Sequence, residues 1–331
     1  MRVSIFYNNT VDGIVGAYLC RDLFNRVFKY LTKKNTSNYL IRYHNIKKAK
    51  VYPLKYDLFN VRMERMGKLV HLFFFGGSPS YNELITTTNS NEVYLFHSTV
   101  IRFILGLRKE KTFFGKTIQF EPIFKDLRDF FRKGLHVFPI GRPSSINFWK
   151  WLRKPLSTKD DYIYNNVSFL LFDAIESIWN GNPTEDELYL YCNLHKLTIS
   201  DSRKNRAILH LEKQIGEYFS FKRYIKNGKI LAQKYKEKYK TIYTKRIQKE
   251  KYDIIPDFNL NLLFIYFVRP NKPLISIKKL NDYYKIVCYK CTPKFLYKKI
   301  GVDLRNVWFE DKFPVIYTNK EEIYESLGYK G

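Results

Sequence analysis

The chain has 331 residues, 45% hydrophobic and 27% charged, which suits a folded protein with a full core and two domains and excludes a disordered one. Its 58 Lys and Arg against 31 Asp and Glu leave a formal charge of +27, which attracts phosphate in nucleic acid or on an anionic membrane without choosing between them. Four cysteines are too few for a disulfide framework, and no apolar run approaches the roughly 18 residues of a transmembrane helix.

Arg2 to Tyr7 is a β-branched and aromatic run that predicts a strand. Asn8, Asn9, Thr10, Asp12 and Gly13 make a polar turn, after which Ile14, Val15, Tyr18, Leu19, Leu23, Phe24, Val27, Phe28 and Leu31 recur at helical spacing. Such a loop lies at the carboxyl end of a strand, where open parallel sheets keep their ligand sites. Asn35 to Asn38 is a loop, and Val51 to Leu54 a second short strand. KLVHLFFFGGSP, from Lys68 to Pro79, is continuously apolar up to Gly76 and Gly77, as suits a central strand buried on both faces. Glu83 and Leu84 belong to a short helix, and EVYLFHS, from Glu92 to Ser98, is a further strand that leads into a helix through Thr99 and Val100.

From Thr112 to Pro155 aromatic and basic residues are dense. Phe148, Trp149 and Trp151, interleaved with Lys150, Arg153 and Lys154, suit either base stacking or a helix burying its aromatic side; Asp126 and Asp129 interrupt the basic surface and favour core or a protein interface. Phe169 to Gly181 is helical by spacing, and Thr184 with Glu187 forms a capping box for the next helix. About Lys204 to Lys251 reads as one long helical stretch that Gly216 and Gly228 interrupt. Between Lys222 and Lys251 twelve Lys or Arg face two acids, more than solubility requires. Lys222, Arg223, Lys226, Lys229, Lys234, Lys236, Lys238, Lys240, Lys245 and Arg246 are the candidates for facing phosphate, lipid or RNA. Strands follow at Leu262 to Val268, Leu274 to Ile277, Lys285 to Tyr289, Asn306 to Phe309 and Pro314 to Tyr317, with a closing helix from Thr318 or Asn319. Cys288 and Cys291 read as two reduced thiols in a strand and turn, because one CxxC without a second Cys or His pair falls short of a zinc site.

The opening stretch resembles the first motif of the DHH phosphoesterases, His-x-Asp-x-Asp-Gly followed two residues later by Ser-Ala. Asp12, Gly13 and Ala17 match; Asn8 stands in place of the His, Thr10 of the first Asp and Gly16 of the Ser. The family's second motif ends a strand in a metal-bridging Asp, where this chain has Phe74 or Phe75. Phe96, His97 and Ser98 take the places of the Asp-His-His that names the family, and Asp173 falls on its fourth motif. The resemblance implies an α/β fold: a parallel-sheet domain with helices on both faces over 1–203, a basic helical linker over 204–252, and a smaller mixed α/β cap over 253–331. The family's Gly-rich, His-terminated phosphate loop has no counterpart in the cap, where Gly301 and Gly328 are isolated.

Two-metal hydrolysis needs several carboxylates and imidazoles, and an oxygen-loving Mn or Mg takes about six ligands. Asp12, His97 and Asp173 are what remains of that set, so the expectation is a pseudoenzyme without a metal or other cofactor. The alternative is a surviving metal-dependent phosphodiesterase. Five alanines in 331 residues, with abundant Lys, Asn, Ile, Tyr and Phe, point to an AT-rich genome, and no import sequence is recognisable before the first strand. The expectation is an organelle-encoded mitochondrial protein, in the matrix or peripheral to the inner membrane. Its partners would be other subunits of an ATP synthase or respiratory complex and cardiolipin, or, alternatively, the rRNA of the mitoribosome.

Overall fold

A computed structural model of the chain describes residues 2–32, 40–45, 70–78, 92–95, 135–137, 142–153, 166–199, 218–280, 283–291 and 308–318, with 211, 295, 298, 301 and 327. The first strand, β1 (Arg2–Tyr7), pairs in parallel with β2 (Leu40–Asn45) on one side and β3 (Val70–Phe75) on the other. With β5 (Glu92–Leu95) and β6 (Leu135–Val137) the five parallel strands run in the order β2-β1-β3-β5-β6. β3, apolar but for His71, is thus the central strand. Tyr7 lies opposite Phe75, so the loop after β1 and the turn at Gly76 leave the sheet side by side at one edge.

Helix α1 (Val11–Thr32) packs on β1 and β3, and its apolar spacing buries Ile14, Val15, Tyr18 and Leu19. Each such side chain contributes about 1.5–3 kcal/mol relative to exposure. Helix α2 (Ser144–Arg153) crosses α1 and buries Phe148 edge-on against Phe75 at 5.3 Å between ring centres, so Phe148 lies in the core. Helices α3 (Asn166–Asn180) and α4 (Glu185–Ile199) form an antiparallel neighbour pair, α3 ending at Gly181 with φ +85°. Thr184 and Glu187 exchange the two capping-box hydrogen bonds at the start of α4, as the sequence predicts.

Helix α5 (Tyr218–Thr244) lies along α4 through a stripe of Gly228, Ala232, Tyr235 and Tyr239. Gly228 does not break this helix, contrary to expectation. A Cβ there would run into the backbone of Tyr189, so the glycine lets two helix axes approach closely. The helix also ends earlier than its sequence suggests: Ile247–Gln248 is already β7 of a second sheet.

That sheet consists of β4 (Gly77–Ser78), β7, β8 (Asp253–Pro256), β9 (Leu274–Leu280), β10 (Tyr283–Tyr289), β11 (Trp308–Glu310) and β12 (Phe313–Thr318), in the order β4-β11-β12-β10-β9-β8-β7. Only β8 and β9 are parallel. Its edge strand β4 comes directly from β3, so the chain steps from one sheet into the other within three residues. The expected strand at Leu262 to Val268 is instead helix α6 (Leu262–Val268), because Asn261 caps Phe264 N–H and Arg269 closes the helix at φ +50°. A short apolar run has no period to separate the two forms, and the cap decides. The expected elements at 51–54, 83–84, 99–100 and, apart from Leu327, 319–328 fall outside the described residues.

Gly228→Ala tests the α4–α5 contact by opposing two effects. Helix propensity favours alanine by about 1 kcal/mol, whereas overpacking against a backbone that cannot rotate away costs about 1–3 kcal/mol. Chemical denaturation should show a net loss of stability.

Candidate functional site

The loop after β1 is held by three backbone anchors. Asn8 N–H donates to Phe75 O at 3.0 Å, Asn8 Nδ2 donates to Gly76 O at 3.2 Å, and Thr10 Oγ1 accepts from Gly13 N–H at 3.1 Å. Gly76, at φ +67°, leaves no room for a side chain, since a Cβ would lie 2.5 Å from Thr10 Oγ1 and 2.6 Å from Gly13. The first turn of α1 therefore sits directly on the end of β3.

Asp12, 1% exposed, lies in that turn and faces the N-terminus of α2. Its Oδ2 accepts from Ser144 N (2.7 Å) and Ser144 Oγ (2.6 Å); its Oδ1 accepts from Ser145 N (2.9 Å) and Ser145 Oγ (2.6 Å). Four donors occupy the roughly four lone-pair positions of a carboxylate. Ser144 Oγ in turn accepts from Gly76 N–H at 2.7 Å, so one relay ties β3, α2 and α1 together. Burial raises the Asp12 pKa above its ordinary value, opposed by the hydrogen bonds from Ser144 and Ser145. A negative charge at a helix N-terminus is also favoured by the exposed N–H groups there.

Among the described residues, this donor set does not fit the metal pair of the resembled family. Asp12 has its lone pairs taken, the Asn8 amide is used on a backbone carbonyl, and Phe75, one of the two candidates for the bridging position, is fully buried against Gly16 and Phe148. Asp173 is not brought to Asp12 either. It is exposed on α3 among Glu176 and Glu187, and burial and these two acids raise its pKa. His97, Phe96 and Ser98 lie outside the described residues.

A second buried carboxylate, absent from the sequence-based candidates, lies across the same loop. Asp311, 4% exposed, is at the turn between β11 and β12 with φ +49°. Its N–H donates to Gly76 O at 2.9 Å and its carboxylate accepts from the Thr10 hydroxyl. Burial, and then the charge of Asp12, push its pKa well above the carboxylate range. The next residue, Lys312, donates from Nζ to Trp179 O at 2.9 Å. This hairpin thus docks the second sheet on the loop and on α3.

Between the loop, α4, α5 and the second sheet lies a cleft of about 450 Å³. His195 of α4 lies on its wall, with Nε2 2.9 Å from Tyr239 Oη, and burial together with Lys238 lowers its pKa to about 4. It is neutral at neutral pH. Lys285 pairs with Glu310 at 2.5 Å on the opposite side, and Asn9 Nδ2 donates to Thr198 O at 2.5 Å. Such a wall of amides, hydroxyls and ammonium groups can hold a polar ligand by hydrogen bonds.

Of the basic candidates, Lys222, Arg223, Lys226, Lys229, Lys234, Lys236, Lys238, Lys240 and Lys245 are exposed on or just after α5, with Lys238 also lining the cleft. Arg246 is committed internally: Nε meets Asp253 at 3.2 Å and the guanidinium lies 4.2 Å from the centre of the Tyr243 ring. Among the described residues no helix is long and apolar enough to cross a membrane.

No protein-family model and no curated protein matches the sequence. The structure is similar to that of the pGpG-specific phosphodiesterase PggH from Vibrio cholerae, at TM-score 0.41 and 10% identity over 99% of each chain. It is similar to CDC45 from Entamoeba histolytica, at TM-score 0.39 and 9% identity, over 99% of this chain and 94% of that one. A further likeness is to RecJ from Thermus thermophilus, at TM-score 0.36 and 8% identity, over 86% of this chain and 44% of that one.

The sign of the Asp311 contribution follows from its raised pKa. Below about pH 4 the carboxyl is protonated in both folded and unfolded chains and adds no pH dependence; above it the folded state resists ionisation and stability falls as pH rises. Asp311→Asn should match the wild type in acid and exceed it by on the order of 1 kcal/mol near pH 7, read from denaturation at a series of pH values.

Proposed function

We propose that this chain is a DHH-phosphoesterase-like protein without hydrolytic activity that serves as a structural, accessory subunit of a large assembly. The observation that carries the reading is the carboxylate of Asp12. At the position where the resembled motif holds a metal ligand, this side chain instead binds the first two residues of α2 through four hydrogen bonds. Phe75 and Gly16 support it further, since the ring occupies the space beside the glycine where the family's motifs have an Asp and a Ser.

The scarcity of alanine and the abundance of Lys, Asn, Ile, Tyr and Phe favour an organelle genome, whose products are mainly parts of energy-converting complexes and of the ribosome. A peripheral place on an ATP synthase or respiratory complex is the first reading. The exposed lysines of α5 would then face cardiolipin or an acidic partner. The same lysines support the second reading, a mitoribosomal protein whose α5 lies on rRNA phosphates.

Purified with its natural assembly, the chain should co-sediment with detergent-solubilised membrane complexes after ribonuclease treatment; release by ribonuclease favours the ribosomal reading. The isolated chain, given Mn and short oligonucleotides, should show no turnover that Asp12→Ala removes. The same substitution should cost about 3 kcal/mol of stability, because the donors of Ser144 and Ser145 are left buried and unpaired. Turnover lost in a folded Asp12→Ala variant would make the protein an enzyme.

A further inference from the structure

Cys288 and Cys291, which the sequence suggests are reduced thiols, are joined as a disulfide with their Cα atoms 5.7 Å apart. Cys288 lies in β10, 1% exposed and paired with Ile275 of β9, whereas Cys291 follows the strand and is half-buried. The turn between them is fixed by contacts of its own. Lys290 adopts the left-handed conformation at φ +57°, its Nζ donates to Pro270 O at 3.2 Å, and the ammonium lies 5.3 Å from the centre of the Tyr289 ring. Those contacts hold the turn that brings the two cysteines together. The loop closed by the bond contains only Tyr289 and Lys290, so cross-linking removes little freedom from the unfolded chain. A staple this short has little structural use, and its chemistry is what distinguishes it.

We propose that Cys288 and Cys291 form a reversible thiol–disulfide site, exchanging with a small monothiol of the glutathione class through attack at Cys291. In the reducing direction the monothiol, as its thiolate, attacks Cys291 Sγ. The Sγ–Sγ bond breaks, its electron pair leaves with Cys288 Sγ, and that sulfur takes up a proton. A second thiolate attacks the small-molecule sulfur of the mixed disulfide, Cys291 leaves as thiolate, and the products are the protein dithiol and the small-molecule disulfide. Oxidation reverses these steps, with Cys291 entering and Cys288 resolving. The other cysteines do not compete: Cys20 and Cys192 are buried, and burial pushes the Cys192 thiol up to about 12 and the Cys20 thiol well above its ordinary range.

The test equilibrates the full chain in graded mixtures of reduced and oxidised glutathione, followed by acid quench, alkylation and peptide mass spectrometry. The expected result is a Cys288–Cys291 cross-link in oxidising mixtures that gives way to two alkylated thiols in reducing ones, with Cys20 and Cys192 unmodified in both. Cys288→Ser should accumulate glutathione on Cys291, roughly tenfold faster than Cys291→Ser accumulates it on Cys288. Should either variant fail to fold, the wild-type mapping alone decides. Absence of the cross-link at every ratio, cross-links to Cys20 or Cys192, or equal glutathionylation of the two single variants would overturn the proposal. So would a reduced pair that binds added zinc stoichiometrically and thereby resists oxidation, which would make it a metal site.

Discussion

The four hydrogen bonds on Asp12 are the constraint on which the arrangement of the first sheet's edge depends. They join the first turn of α1 to the N-terminus of α2, two elements separated by more than a hundred residues of sequence. Through Ser144 the same carboxylate reaches Gly76 at the end of β3, and through Gly76 it reaches the Asp311 hairpin of the second sheet. A buried carboxylate is costly unless every lone pair is satisfied. Those of Asp12 are all satisfied, so its hydrogen bonds fix one geometry for the loop, on which the second sheet docks. The step of β3 into β4 covalently reinforces that docking, because one strand of the first sheet becomes the edge of the second within a single turn.

The same geometry accounts for the residues that stand at the positions of the resembled motif. Gly16 and Phe75 fit each other, the ring lying where any Cβ at residue 16 would stand. Asn8 uses its amide on a carbonyl, and Thr10 bridges Gly13 and Asp311. Each of these residues has a packing or hydrogen-bonding partner inside the protein. What persists beside them is a polar cleft whose imidazole is neutral and whose ammonium group at Lys285 is paired with Glu310.

The opening strand, loop and helix, the central β3 and the capping box at Thr184 were legible because each is set by neighbours in sequence: a β-branched run, a helical period, or two residues three apart. The helix at Leu262 to Val268 was not legible as a helix, since a short run apolar throughout lacks a period and the decisive Asn261 cap is a single residue. Gly228 misled for a related reason. Its meaning depends on the Tyr189 backbone, which no local pattern contains. At the site, Asp12 could be singled out by its motif, but its partners could not. The Pro143-Ser144-Ser145 sequence is a readable helix start, yet nothing in it names an acceptor on α1. Asp311 was missed entirely: an Asp-Lys pair between two strands reads as an ordinary hairpin turn until the other sheet is placed against it.

Asp12 thus anchors the first turn of α1 to the start of α2. Hydrogen exchange at the Ser144 and Ser145 amides, measured with and without millimolar Mn, tests this most directly. Both amides donate to Asp12, so they should exchange only with global unfolding, unchanged by the metal, and should lose protection in Asp12→Ala. Rapid exchange of these amides in the wild type, or protection that Mn abolishes as the carboxylate turns to the ion, would contradict it.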